Sequence, residues 1–279
     1  MAPIRIALFL CDHTPPPVRE TDGDYLNVFR TLLRDSSPST EFDLVPFEVR
    51  ERLQYPEPEE IDGFQAILLT GSAASAYENV EWINKLVAYI ASIAEEKPHI
   101  KLLGICFGHQ IISRALGSDC VPNDGKWEVG VTPVTLTETG KQLFGADDLN
   151  IQQMHRDHVP DVPRSCILLA STSVTPNQGY IRFPPSTPPP ETFTPDLIKD
   201  IQIFTVQGHP EFTKRIVGHL VDLRETSGII TKAIAEDSRR REDWRNDGVD
   251  VIGKVIWKVL GVGHDLGEER VDLVEPVHA

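Results

Sequence analysis

Short apolar runs recur along the first part of the chain, each with the length of a buried strand. The runs cover residues 4–11, 42–49, 66–71 and 101–106. Between them, residues 24–34 and 80–95 place apolar side chains at helical spacing. Strands that alternate with helices indicate βαβ units, so this part of the chain predicts a parallel sheet covered by helices on both faces.

The second part of the chain changes to short β-rich segments separated by turns. These segments cover residues 128–137, 150–155, 166–172 and 179–183. They are expected to be antiparallel additions to the sheet, before one more parallel strand at 200–208. Predicted helices then cover residues 213–225, 229–242 and 249–260. Together the patterns predict an α/β fold with an open, mostly parallel sheet, a flavodoxin-like three-layer sandwich.

The organisation into domains follows from the absence of a repeat or a strong linker. We expect a single domain over residues 1–279, with a core at about 4–260 and a charged tail at 264–279. The proline-rich segment 184–195 cannot join a sheet and is expected to be an exposed loop. A lid over the site, or a surface for a partner, is the alternative interpretation of this segment.

The charge, the apolar segments and the cysteines of the chain disfavour some classes of binding partner and location. The 279 residues carry a net charge of −15, which disfavours binding to nucleic acid or to an anionic membrane. The N-terminal apolar run resembles a first strand rather than a signal peptide, and no segment approaches the roughly 20 apolar residues of a membrane span. Four scattered cysteines without a CxxC spacing indicate reduced thiols, so we expect a cytoplasmic protein.

Candidate chemistry begins with the segment Gly104-Ile-Cys-Phe-Gly108. This spacing is that of a nucleophile elbow, in which the reactive residue occupies a strained turn between a strand and a helix. A helix N-terminus after Cys106 would favour its thiolate. The alternative is an inert cysteine buried at a strand end.

A second candidate segment, VQGHPEF, follows the predicted strand at 200–208. His209 and Glu211 lie two residues apart in extended chain, so the carboxylate can orient the imidazole as in a Cys-His-acid triad. A solvated turn is the alternative. A zinc site is disfavoured because no PCxxC element accompanies the HxE triplet, and no metal or cofactor is expected.

A third segment, LLTGSAAS, could supply backbone donors after a strand. The N–H groups of Gly71 and Phe107 would form an oxyanion hole for a developing negative charge. An ordinary strand-to-helix loop with serine capping is the alternative. Only the three segments together indicate one active site.

This combination, GICFGHQ, then VQGHPEF about a hundred residues later, with TGS before both, resembles the class I (triad-type) glutamine amidotransferase family, in its free-standing, GMP-synthase-like form. The resemblance implies that Cys106 is the nucleophile, His209 the general base and acid, and Glu211 the group that orients the histidine. It also implies that Gln110 helps to hold the glutamyl substrate.

Further substrate contacts are expected around these residues. Ser72, in the same turn as Gly71, is assigned to substrate binding. His155 and His158, in MHRDHV, match a segment that borders the glutamine pocket in the family, although a polar turn with a purely structural role is equally consistent with them. His109 is interpreted as a structural histidine.

The resemblance implies hydrolysis of the glutamine side-chain amide through a γ-glutamyl thioester. Neither an ATP-pyrophosphatase fingerprint nor a GxxxxGK[ST] loop is present, so a synthase that uses the ammonia would be a separate protein. A stand-alone γ-glutamyl peptide or glutathione-conjugate hydrolase is the alternative. A non-catalytic binding protein is a third possibility, and the presence of Cys106, His209 and Glu211 disfavours it.

Overall fold

The computed structural model describes residues 3–263, and the predicted tail at 264–279 lies outside this range. The strands are β1 (Ile4–Leu10), β2 (Phe42–Glu48), β3 (Ala66–Leu69), β4 (Lys101–Ile105), β5 (Val121–Pro122), β6 (Glu128–Leu136), β7 (Leu149–His155), β8 (Asp157–His158), β9 (Cys166–Leu168), β10 (Ala170–Ser171), β11 (Tyr180–Arg182) and β12 (Ile203–Val206). The α-helices are α1 (Pro16–Asp22), α2 (Tyr25–Ser36), α3 (Glu81–Glu96), α4 (Phe107–Ala115), α5 (Glu138–Phe144), α6 (Lys214–Thr226), α7 (Lys232–Arg240) and α8 (Lys254–Val259). Short 3₁₀ turns occur at Ile61–Gly63 and Pro195–Asp200, and a π-helical turn at Gly248–Gly253 leads directly into α8.

The main sheet has seven strands in the order β2-β1-β3-β4-β12-β11-β9. The first five are parallel to their neighbours, and β11 and β9 extend the sheet in antiparallel fashion. The five parallel strands have the flavodoxin-like order, in which ligands bind at the carboxyl ends of the strands. The predicted fold class is therefore confirmed.

The core forms two layers, one on each face of this sheet. Alternate side chains along a strand point to opposite faces, so Ile6 and Leu8 pack with α2 and α8, whereas Ala7 and Phe9 pack with α3. Burial of these faces supplies most of the stability of such elements, because short helices are marginal on their own.

A second, three-stranded sheet differs from the prediction. The long strands β6 and β7 pair with each other and with β10, and they do not extend the main sheet. Both faces of the pair are covered: Val134 and Ile151 join the core cluster that contains α2 and α8, while Val129 and Met154 pack with residues of α6 and α7. The expectation that residues 128–137 and 150–155 join the main sheet was wrong. The strands β6 and β7 instead form a separate layer, with the main core on one face and residues of α6 and α7 on the other.

The proline-rich segment is a loop, as predicted, and most of its residues are exposed. Phe193 is the exception, since its side chain is buried in the main core. Pro184, Thr187 and Pro188 border a shallow groove together with Lys101, which begins β4. The loop therefore lies at the amino ends of the strands, on the opposite side of the sheet from Cys106.

Candidate active site

A cavity of about 580 Å³ opens where the parallel strands end. The loops after β1, β3, β4 and β12 each contribute to its lining, with Asp12, Ser72, Cys106 and His209 respectively. Residues 154–157, around the end of β7, and the C-terminal part of α6 form the remaining walls. Such a position at the carboxyl edge of a parallel sheet is where α/β proteins bind small molecules.

Cys106 occupies the turn between β4 and α4 in a strained conformation. Its φ is 51° and its ψ −101°, a region that non-glycine residues rarely adopt and that is typical of functional sites. Glycines are needed on both sides of it. A Cβ at Gly104 would lie 2.9 Å from the carbonyl of Gly108, and a Cβ at Gly108 would lie 2.5 Å from the carbonyl oxygen of Leu69. The crowded turn expected from the GICFG spacing is present.

His209 and Glu211 form a buried pair directly after β12. The Nδ1 of His209 lies 2.8 Å from Oε1 of Glu211, and both side chains are almost fully excluded from solvent. The His209 backbone N–H donates to the carbonyl of Gln152 in β7, and the imidazole stacks on Phe212 at 4.0 Å between ring centres. The second sheet and this stacking together fix the orientation of the ring.

Gly71 lies next to both His209 and Cys106. A Cβ at Gly71 would lie 2.8 Å from Cε1 of His209 and 3.8 Å from Cβ of Cys106, so the three residues are immediate neighbours. The structure thus brings together Cys106, His209 and Glu211, which lie up to about a hundred residues apart in the sequence.

The charges in this cluster favour a protonated imidazole. Burial alone would lower the pKa of His209, but the adjacent Cys106 sulfur and the Glu211 carboxylate, with the hydrogen bonds to both, outweigh it and raise this pKa to about 10. An imidazolium beside a sulfur is the arrangement that stabilises a thiolate.

Gln207 is a site residue that the sequence analysis missed. Its side chain is fully buried, its Nε2 donates to Sγ of Cys106 at 3.5 Å, and its Oε1 accepts from Nε2 of Gln110 at 3.2 Å. Two-residue spacing in extended chain could have revealed it, because residues 207, 209 and 211 then point to one side.

The two predicted oxyanion-hole residues flank the sulfur. Gly71 follows β3, and Phe107 is the first residue of α4, immediately after Cys106. Within residues 3–263, no hydrogen-bond acceptor engages the backbone N–H of either residue. Both N–H groups are therefore without a partner among the described residues, and their role as an oxyanion hole stays a prediction.

Gln110 and Ser72 both line the cavity. The Nε2 of Gln110 donates to the backbone carbonyl of Asp157 at 3.0 Å as well as to Gln207, which leaves its carbonyl oxygen for a ligand. Ser72 Oγ donates to Asp12 Oδ2 at 3.2 Å, and the same carboxylate oxygen accepts from the N–H of Ala73 at 2.7 Å. Asp12, which the sequence analysis did not identify, therefore holds the loop after β3 in place.

The two histidines of MHRDHV differ in position. His155 lines the cavity, and its Nε2 lies 3.2 Å from the buried Glu128 carboxylate. Burial opposes ionisation of Glu128, but interactions with His155 lower its pKa. His158 is not among the cavity-lining residues; it pairs in β8 with Val121, and burial lowers its pKa.

Cys11, Cys120 and Cys166 are the other cysteines of the chain, and none of them lines the cavity. All four are free thiols, and burial raises the pKa of Cys11 and of Cys166 to about 12. Thiols of such high pKa are poor nucleophiles. Within the described part of the chain, no three His, Cys, Asp or Glu side chains are placed to hold a metal, and no helix is long and apolar enough to cross a membrane.

These features define a class of protein, a three-layer α/β fold with a strained, glycine-flanked cysteine turn at the end of a central strand. The sequence model of the glutamine amidotransferase class-I family matches residues 27–182. A glutamine amidotransferase-like protein of Schizosaccharomyces pombe is 35% identical over 243 residues, which cover 85% of this chain and 91% of the yeast protein. The chain therefore belongs to the class-I glutamine amidotransferase family.

Other relatives carry a different name. Gamma-glutamyl peptidase 3 of Arabidopsis thaliana is 31% identical over 227 residues, which cover 78% of this chain and 81% of the plant protein. The crystal structure of a glutamine amidotransferase from Thermotoga maritima superposes with a TM-score of 0.65 at 18% identity, covering 92% of this chain and 98% of the bacterial one. The similarity to the Thermotoga maritima structure, at 18% identity, concerns the fold alone.

Proposed function

We propose that this protein hydrolyses γ-glutamyl amide bonds through a thioester on Cys106. The observation that supports the proposal is the contiguity of Cys106, Gly71 and the His209–Glu211 pair, joined at 2.8 Å, with Cys106 and His209 lining one cavity. A nucleophile, a base and an orienting carboxylate are the parts that acyl transfer requires.

In the first half of the reaction, the Cys106 thiolate attacks the carbonyl carbon of the side-chain amide. The carbonyl electrons move to oxygen, and the N–H groups of Gly71 and Phe107 stabilise the resulting oxyanion. As the oxyanion collapses, the C–N bond breaks and the His209 imidazolium gives its proton to the departing amine. A γ-glutamyl thioester and a neutral imidazole remain.

In the second half, the neutral His209 takes a proton from water as the water oxygen attacks the thioester. The C–S bond breaks, glutamate leaves, and the thiolate and imidazolium are restored. Glu211 keeps the imidazole in the orientation that serves both steps, and the Gln207 amide stabilises negative charge on the sulfur in the resting state.

Two substrates fit this chemistry. Glutamine is the first, with the ammonia passed to a separate synthase, and membership of the amidotransferase family supports it. A γ-glutamyl peptide is the second, and the size of the cavity favours it. The walls extend beyond the triad to Leu220, Leu223 and Ile229 on and after α6, which gives room for a leaving group larger than ammonia.

The test compares glutamate release from glutamine and from glutathione by the purified protein. We expect turnover that falls by about 10⁴-fold or more in Cys106→Ala, because a triad nucleophile has no substitute. Cys166→Ala is the matched control, since this thiol lies in β9 outside the cavity, and it should retain turnover. Absence of glutamate release from both substrates, or turnover that survives in Cys106→Ala, would refute the proposal.

A further inference from the structure

One wall of the cavity carries two arginines around a tryptophan. Trp127, Arg156 and Arg224 all line the cavity that contains Cys106. The guanidinium carbon of Arg224 lies 5.0 Å from the centre of the Trp127 ring, and that of Arg156 lies 5.8 Å from it. We call these three residues the arginine–tryptophan wall. Its positive charge is not used by the chemistry proposed above.

Arg224 has no anionic partner in the described structure. Within residues 3–263, no carboxylate lies within ion-pairing distance of its guanidinium. The nearest acids in sequence, Asp222 and Glu225, both accept from Nη2 of Arg239 at 2.6 Å. Arg156 has only a loose pair with Asp157, at 3.7 Å. Arg224 is therefore a cavity-lining cation without a carboxylate partner among the described residues.

Arg224 shares its cavity with other ionisable groups. The groups whose charges act on it include Cys106, Tyr25 and Asp12, all of which line the same cavity. Burial and the like charge of Arg156 lower its pKa, yet an arginine stays protonated in proteins. A poorly hydrated cation with free donors gains more from a bound anion than a solvated one does.

The position of the wall indicates which end of a substrate it meets. Cys106 and Gln110 are almost fully buried and form the floor of the cavity. Leu223 and Ile229 are 38% and 53% exposed and mark its mouth, where the C-terminal end of α6 lies. A substrate whose γ-amide reaches the sulfur has room to extend its leaving group towards α6 and Arg224.

We propose that the arginine–tryptophan wall binds the terminal carboxylate of the leaving amine, so that the site selects γ-glutamyl peptides with a free C-terminus. Arg224 donates to the carboxylate, Arg156 adds positive charge beside the same ring, and Trp127 holds both guanidinium groups in place. Ammonia has no such carboxylate, so glutamine makes no use of this wall. This inference rests on the proposed γ-glutamyl amide hydrolysis.

The experiment measures kcat/KM for glutathione and for its C-terminal amide, which differ only in the charge that the wall would bind. We expect the wild-type protein to prefer glutathione by about tenfold or more, since only its free carboxylate can accept a charge-assisted hydrogen bond from Arg224. In Arg224→Gln the ratio should fall towards one. Arg224→Lys keeps the charge without the planar donors and should restore part of the preference.

A matched control variant excludes a general effect of removing an arginine, and a second variant of the wall makes the test independent of one protein's folding. Arg240→Gln makes the same chemical change at a 70% exposed side chain on α7 outside the cavity, and it should leave the ratio unchanged. Arg156→Gln should lower the ratio by a smaller factor, so the inference does not depend on Arg224→Gln folding. Thermal unfolding identifies a variant that has lost its structure.

The outcomes separate the two proposals. If the wild-type protein releases glutamate from neither glutamine, glutathione nor the amide, the proposed function fails; if it uses glutamine alone, the function stands and the inference about the wall is overturned. If it cleaves glutathione and its amide equally well, the proposed function stands and the arginine–tryptophan wall does not recognise the carboxylate. If loss of Arg224 slows both substrates to the same extent, the arginine serves the glutamyl end or the fold, which also overturns the inference.

Discussion

At the scale of single residues, the pKa of His209 links the geometry of the site to a measurable pH profile. In the proposed mechanism the imidazolium form donates the proton to the leaving amine, and it persists up to a pKa of about 10 because Cys106 and Glu211 stabilise it against the opposing effect of burial. Activity should therefore fall on the alkaline side as His209 loses its proton. The neighbouring His109 has the opposite environment: burial and the proximity of His155 lower its pKa to about 3.

Replacing Glu211 by glutamine tests this linkage. Glu211→Gln removes a negative charge 2.8 Å from the ring with little change in volume, so the pKa of His209 should fall and the alkaline limb should move to lower pH. We also expect kcat/KM to drop by roughly 10³-fold, as in other triads with an altered acid. The measurement is kcat/KM between pH 6 and 11. An unchanged limb would contradict the assigned role, and Glu138→Gln, at an exposed carboxylate, is the control.

The sequence indicated Cys106, His209 and Glu211 because each lies in a short local pattern after a strand. Asp12 and Arg224 carry no such pattern, and the only local signal of Gln207 is its two-residue spacing from His209. Their contacts join segments that are far apart, for example Gln207 with Cys106 and Asp12 with the loop after β3, and only the folded sheet brings these segments together. The catalytic roles themselves stay predictions until turnover is measured.

At the scale of elements, hydrophobic periodicity predicted the strands of the main sheet and the long helices to within a few residues. It did not predict α1, whose sequence begins with consecutive prolines. Pro16 and Pro17 occupy its first turn, where a missing N–H has no helical partner in any case. Pairing of β6 with β7 in a separate sheet was also not predictable, since alternation along a strand does not say which sheet it joins.

Gly108 and Gly218, which both lie in helices, provide a matched test of the close packing after the Cys106 turn. Gly108→Ala, in α4, should destabilise the protein by about 1–3 kcal/mol, because the new Cβ would lie 2.5 Å from the backbone of Leu69. Gly218→Ala, in α6, meets no atom within 4 Å and should stabilise by about 0.5–1 kcal/mol through helix propensity. Urea unfolding of both variants measures the difference. Equal effects would mean that the close approach of α4 to β3 can relax.

At the scale of the whole molecule, the proline-rich loop and the cavity lie at opposite edges of the sheet. The loop borders the start of β4, and Cys106 follows its end, roughly 17 Å away at the usual rise per residue. A lid over the site is thus excluded as a role for this loop in the described fold.

Shortening the loop tests this separation. Replacing residues 186–190 by two glycines should leave glutamate release within twofold of the wild type, because these residues are largely exposed and remote from Cys106. Phe193→Ala, three residues further on, should instead lower the free energy of unfolding by about 3 kcal/mol, since that ring is buried in the core. Turnover lost in the shortened loop with stability intact would point to an undetected link with the site.

The arginine–tryptophan wall also places a natural optical reporter at the mouth of the cavity. Of the four tryptophans, Trp127 is the one that lines the cavity, whereas Trp257 is buried beneath α2 and Trp244 is exposed on the surface. Indole emission responds to the water and charge around the ring. A carboxylate bound between the arginines would change both, so substrate binding to the Cys106→Ala protein would register as a change in its intrinsic fluorescence, without any added dye.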